Sequence, residues 1–249
     1  MGSISNNPTD VIDTPKLIRD KAILFEPIEA LYSGHFENFK VKPGFNITEF
    51  KNSRRHFIVL VDLAEGGGGD FTVFNIFEIT VTNEGKPIFT QVAYWSANNV
   101  DIEHAALEFW LIMNVVLSQQ NTIVSVEWNT YGALFYNYLL NLNDNDYMTS
   151  ALWRFNYGTE FDSSILCNYK KGDMVEDIAG LRSFKNRKTI PGIRWSGETK
   201  KTGCALLKMC LENSEVDISD LIQVGELENF EDHNGNGSYK ASYGHDDMM

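Results

Sequence analysis

At 249 residues, 43% of them hydrophobic, the chain suits one large domain or one domain with an appended arm, and its apolar and aromatic content excludes a disordered protein. Three cysteines (Cys167, Cys204, Cys210) without CxxC spacing exclude a disulfide framework and suit a reducing cytoplasm; no apolar run reaches bilayer length, and MGSISNNPTD lacks the charged and apolar regions of a signal peptide. A net charge of −13 weighs against phosphate binding, yet it is unevenly spread: Arg182, Lys185, Arg187, Lys188, Arg194, Lys200 and Lys201 face one acid, Glu198, whereas residues 212–232 carry eight acids and no Lys or Arg.

Residues 1 to about 20 are polar and weakly patterned, and residues 21–50 alternate short apolar pieces with Gly and Pro, as expected of an arm packed on a domain. His56–Asp62 (HFIVLVD) is a continuous apolar run rich in β-branched residues, the pattern of a central strand buried on both faces. Four glycines, Gly66–Gly69, then turn the chain. Phe71–Val81 reads as a second strand, NEGKP as a hairpin turn and Ile88–Trp95 as a third strand. The period changes at Asp101, a cap for a helix to Gln119 with Ile102, Ala105, Ala106, Phe109, Ile112, Met113 and Val116 on one face. Thr122–Glu127 is a strand ending in an acid. Thr130–Asn141 is a helix with Leu134, Phe135, Tyr138 and Leu139 on one side, and Met148–Phe155 could be a fifth strand. Residues 158–198 form a long polar connection that holds most of the basic stretch, which reads either as a solvated loop or as a surface for DNA. A helix over Thr199–Asn213, a short helix or turn near Ile218–Phe230 and a Gly-rich loop (HNGNGSY) lead to GHDDMM. A strand meander followed by strand–helix units predicts an α/β fold: a mixed β-sheet with helices on both faces.

Asp62, Glu127 and the pair Asp246–Asp247 stand where chemistry could use them. The first two end apolar strands, where acids point into the crevice that binds ligands in α/β sheets. Each alone reads as well as a cap or an ion-pair partner. Were they to converge at about 4 Å, two like charges would repel by roughly 4 kcal/mol at an effective dielectric of 20, a cost that divalent cations would remove. Carboxylates without a His or Cys cluster suit Mg²⁺ or Mn²⁺. The glycine run lacks the Lys–Ser/Thr ending of a phosphate-binding loop and leads into a strand, which excludes a nucleotide site there; the glycines serve a tight turn or the close approach of a DNA backbone.

In these segments the chain resembles the nuclease domain of the large terminase subunit of tailed bacteriophages, the DNA-packaging motor, with the T-even-like group most similar. IVLVDLAEGGGGDFT matches that family's strand–Asp–x–x–x–Gly–x–Gly–x–Asp segment, which makes Asp62 the first metal ligand and Glu65 and Asp70 accessory acids. VSVEWNTYG matches its strand ending in Glu–x–Asn–x–x–Gly, with Glu127 the second ligand and Asn129 and Gly132 in place. SYGHDDMM matches its Gly–Tyr–His–Asp–Asp segment, with Asp246 the third ligand and Asp247 beside it; TKKTGCALLKMCLEN and KLIRDKAILFEPIEA resemble the intervening helix and the incoming arm.

The resemblance implies a ribonuclease H-like fold holding two Mg²⁺ or Mn²⁺ ions. It implies an endonuclease that cuts concatemeric double-stranded viral DNA during genome packaging, with Asp62, Glu127 and Asp246 catalytic. Its implied partners are DNA, the portal protein, the small terminase subunit and the ATPase domain of the same terminase, in the host cell cytoplasm and docked on the procapsid. Residues 1–50 would be the arm from that ATPase domain, since no Walker A sequence occurs, and 51–249 the nuclease domain, short of the helix that follows the His–Asp–Asp segment in the family. A junction resolvase, or a non-catalytic module that grips DNA or portal, are the competing readings.

Overall fold

The computed structural model describes residues 18–28, 36, 38–52, 54–117, 121–127, 130–144, 168–170, 189–191, 193, 197–233 and 238–241. Its centre is the predicted run of strands. β1 (Glu26–Pro27) and β2 (Phe39–Val41) precede a helical turn, α1 (Ile47–Phe50); β3 (His56–Asp62), β4 (Thr72–Val81) and β5 (Pro87–Ala97) then form an antiparallel meander. Between β4 and β5, Thr82 Oγ1 accepts from the backbone N–H groups of Glu84 and Lys86, and Gly85 takes φ +82°, so NEGKP turns the chain as expected. After α2 (Ile102–Leu111), β6 (Thr122–Val126) lies parallel to β3, with Val61 opposite Val126 at the end of the pairing.

The seven-stranded sheet runs β1–β2–β5–β4–β3–β6, and β9 (Val216–Asp217) joins β5 in parallel beyond the end of β2. The arm therefore contributes strands to the sheet itself. A meander whose first strand pairs in parallel with the strand after the next helix is the expected ribonuclease H-like mixed sheet. Helices cover both faces, as predicted.

One face is the main core. Phe57, Val59 and Val61 of β3, Phe74 and Ile76 of β4, and Val124 and Val126 of β6 pack under α2 and α3 (Thr130–Asp144). The Phe74 ring stacks on Trp95 at 4.6 Å and meets Phe109 edge-on at 5.2 Å, and each such buried ring contributes about 2–3 kcal/mol through area removed from water. Every residue predicted on the inner side of α2 is buried there, and Asp101 caps it through His104 N at 2.7 Å. The helix widens into a π-helix over Ile112–Val116, where the Asn114 side chain donates to the Trp110 carbonyl at 2.9 Å.

The other face is covered by α4 (Gly197–Glu212) and α5 (Leu221–Asn229), whose Leu211, Val224 and Leu227 close over Phe77. This cover is incomplete. Phe57, Val59 and Val61 are buried, but Ile58 and Asp62 are half-buried and Leu60 is 39% exposed, which corrects the expectation that β3 is buried on both faces. Leu134, predicted inward on α3, is likewise exposed, whereas Phe135 and Leu139 of its set are buried in the core and Tyr138 packs partly against it. Two short strands that sequence reading did not anticipate, β10 (Phe230–His233) and β11 (Ser238–Ala241), pair antiparallel, and residues 234–237 between them lie outside the described residues; charged residues on these strands hide the alternation that marks a strand. Short strands β7 (Asn168–Lys170) and β8 (Thr189–Pro191) pair within the long polar connection. The predicted strand Met148–Phe155 lies outside the described residues.

Candidate active site

The partly open face of β3 is one wall of a cleft of about 330 Å³. Asp62 and Glu127 line its upper end, and Ser125, Asn75 and Gln223 supply polar groups deeper in; Phe77, Phe89 and Leu207 are among its apolar walls. The acids are neighbours by construction. Val61 and Val126 pair in parallel register, and Glu127 N donates to the Val61 carbonyl at 2.9 Å, so the next residues, Asp62 and Glu127, end adjacent strands side by side. Neighbouring strands run about 4.8 Å apart, which puts the two carboxylates within reach of a shared ligand.

Local sequence holds this end of the sheet in place. After Asp62 the chain is caught by Thr72 Oγ1, which accepts from Ala64 N at 3.0 Å. Gly66 takes φ +80°, and a Cβ there would come within 2.1 Å of the Val100 carbonyl oxygen, so its backbone lies against the turn before α2 in a space only glycine fits. Gly68 N donates to the Asn98 carbonyl at 2.8 Å. A Cβ added at Gly67 or Gly69 would meet nothing within 4 Å. A Cβ on Gly132 would come within 2.1 Å of the Glu127 carbonyl oxygen, so the first turn of α3 is pressed onto the end of β6. On the outer edge of β6, Ile193 N donates to the Val126 carbonyl at 2.8 Å and Ile193 bridges to Glu127 in parallel.

The floor of the cleft is an amide network. Gln91 Nε2 donates to Asn75 Oδ1 at 2.9 Å and to Gln223 Oε1, while Gln91 Oε1 accepts from Ser219 N and Asp220 N at 3.1 and 3.0 Å. Asp220 is fully buried and caps α5 through Ile222 N and Gln223 N; burial raises its pKa, and the backbone donors, Phe25 N among them, oppose that rise. These bonds fasten α5 to β5 and so set the width of the cleft. Sequence reading passed over Asn75, Gln91 and Ser125, although each is a polar residue inside an apolar strand, a signal that could have found them.

Of the predicted acids, Asp62 and Glu127 are brought together. Glu65 is exposed three residues past Asp62; desolvation of the Tyr131 phenol, then the neighbouring Glu65 carboxylate, push the Tyr131 pKa up. Asp70 is exposed where the glycine run enters β4. Asp246 and Asp247 lie outside the described residues, as do Asn129, Arg182, Lys185, Arg187, Lys188 and Arg194; Lys200 and Lys201 are exposed on α4. Among the described residues no three His, Cys, Asp or Glu side chains converge. The donors brought together at the strand ends are carboxylates, with no His or Cys among the described residues that line the cleft, and that set fits a hard divalent cation such as Mg²⁺ or Mn²⁺.

No protein-family model matches the chain, and no curated protein matches it. Among solved structures it is similar to crystal structures of the large terminase nuclease from thermophilic phage G20c. One shares 14% identity, covers 96% of this chain and 93% of that chain, and superposes with a TM-score of 0.44. A cobalt-bound form of the same nuclease covers 96% and 92% with a TM-score of 0.49, and a zinc-bound form covers 92% and 89% with a TM-score of 0.39, both at 14% identity.

Proposed function

We propose that this chain is the nuclease domain of a large terminase subunit, a divalent-metal-dependent endonuclease that hydrolyses phosphodiester bonds of double-stranded viral DNA during genome packaging. The observation that carries the reading is the pairing of Asp62 with Glu127 on adjacent strand ends at the mouth of one cleft. The resemblance of the three acid-bearing segments supports it, and adds Asp246 as the third ligand with Asp247 beside it.

Two Mg²⁺ or Mn²⁺ ions would activate the attacking water and stabilise the leaving oxygen. The protein's own part is to hold and to shape. Asp62 and Glu127 present negative oxygens from backbone that the sheet keeps rigid, so the geometry is set before substrate arrives. The bare glycines beside Asp62 let a sugar–phosphate backbone come close. The chain should nick and cut supercoiled plasmid with Mn²⁺ or Mg²⁺ and stop when EDTA removes the metal; cutting that persists in EDTA would refute a metal-dependent site. Failure to cut, with DNA still bound, would favour the gripping module.

The basic stretch is proposed to hold the duplex. Ile193, which lies within that stretch of the sequence, is fixed beside Glu127. The Arg187→Glu, Lys188→Glu variant should bind DNA more weakly, with the slope of log K against log salt reduced by about 2, roughly one per lost phosphate contact. An unchanged slope in a filter-binding salt titration removes the role. The portal protein, the small terminase subunit and the ATPase domain of the same terminase are the proposed partners, at a procapsid in the host cytoplasm. Among the described residues no helix is long and apolar enough to cross a membrane.

A further inference from the structure

The cleft face of the sheet is ranked by chemistry. Asp62 and Glu127 make the first rank, at the strand ends. Two residues back, Leu60 stands in direct register between Ser125 of β6 and Asn75 of β4. Two residues further back, Ile58 stands beside Phe77. Residues two apart on a strand share a face, so each rank follows the last by about 7 Å along one cleft. The middle rank is polar although it lies inside an apolar sheet. Gln91 Nε2 donates to Asn75 Oδ1 and to Gln223 Oε1, so both carboxamides are gathered at that rank and fixed before any ligand arrives. Around and beyond it, Phe89, Leu207 and Val216 make the walls apolar.

A ligand that matches these surfaces is flat, apolar on its faces and hydrogen-bonding on its rim. A nucleobase has all three properties. Carboxamide and hydroxyl side chains bond base edges, and apolar walls take the base faces. At about 330 Å³ the cleft is at the small end of ligand sites, with room for one ring system rather than an extended molecule. The step from the first rank to the second matches the reach of one sugar from a phosphate to its own base. We propose that the cleft receives one unpaired base of a DNA strand, seated on the Ser125–Leu60–Asn75 rank with its phosphate at Asp62 and Glu127. A base stacked and paired in a duplex cannot enter, so the strand must be splayed at this point. The inference rests on the nuclease reading for the place of the phosphate, and it names the form of DNA that the site takes.

The test is binding of the full chain, at low salt and in EDTA, to an oligothymidylate and to a strand of equal length built of abasic sugar–phosphate units. The two carry the same charge, so the phosphate contribution cancels. The parent should bind the thymidylate about tenfold more tightly, toward the low end of what seating one base contributes. Leu60→Trp fills the cleft from the sheet and Leu207→Trp fills it from α4; whichever melts as the parent does should bind both strands alike. A blunt duplex, whose bases are paired, should bind the parent and the filled variant equally. Equal binding of the two strands by the parent, no binding of either, or a preference that survives filling overturns the base site, as does an equal loss of duplex binding on filling. Plasmid cutting in Mn²⁺ separates this inference from the reading beneath it. A base preference abolished by filling, in a chain that cuts no plasmid, leaves the base site standing and removes the nuclease. Cutting without any base preference removes the base site alone.

Discussion

An Asp62→Ala chain is expected to cut supercoiled plasmid at least about a thousandfold more slowly than the parent in Mn²⁺, a loss of about 4 kcal/mol of transition-state stabilisation. The size follows from what the residue does. Asp62 ends a strand paired on both sides, by β4 and by β6, so no neighbouring acid can move into its place. Glu127 is left as a single carboxylate at that end of the cleft. The same substitution should leave thermal stability unchanged or slightly raised, since it removes a half-buried charge next to a like one. Initial rates from plasmid conversion, with circular dichroism melts of both chains, read the two effects together. Parent-like cutting by the variant would end the proposed mechanism.

The second large effect is one of stability, and helix propensity gives its sign wrongly. Gly132 lies in the first turn of α3, and alanine is the better helix former there by about 1 kcal/mol. Yet an added Cβ would stand 2.1 Å from the Glu127 carbonyl oxygen and 3.1 Å from its carbon. Both are backbone atoms, in a residue whose N–H is bound to Val61 and which is bridged to Ile193, so neither can swing aside. Gly132→Ala should therefore lower the unfolding free energy by about 2–3 kcal/mol, the range for overpacking a well-filled site. Relief of the clash must move either α3 or the end of β6, so cutting should weaken as well. Urea denaturation decides the matter: a variant as stable as the parent, or more so, would mean that helix and strand end are not locked together.

Most of the scaffold was legible in the sequence, for reasons that can be named. The runs HFIVLVD and TIVSVE are apolar and β-branched, and the face of α2 repeats at helical spacing, so β3, β6 and α2 declare themselves. The acids at the ends of those strands were readable for the same reason. Strands β1, β2 and β9 were not, because two or three residues carry no period. The open face of β3 was also hidden: Ile58 and Leu60 are as apolar as their buried neighbours, and only the incomplete cover of α4 and α5 leaves a cleft there.

The adjacency of β3 and β6 also bears on how the molecule comes to be active. The β3–β4–β5 meander joins neighbours in the chain, whereas the β3–β6 pairing must wait for β4, β5 and α2 to be spanned. Non-local parallel pairing is the slow part of assembling such a sheet. Asp62 is therefore in place early and Glu127 late, and a chain folded only as far as its meander holds a single strand-end acid, with no pair of acids to bind ions. The proposed cation site is thus completed in one of the last steps of folding.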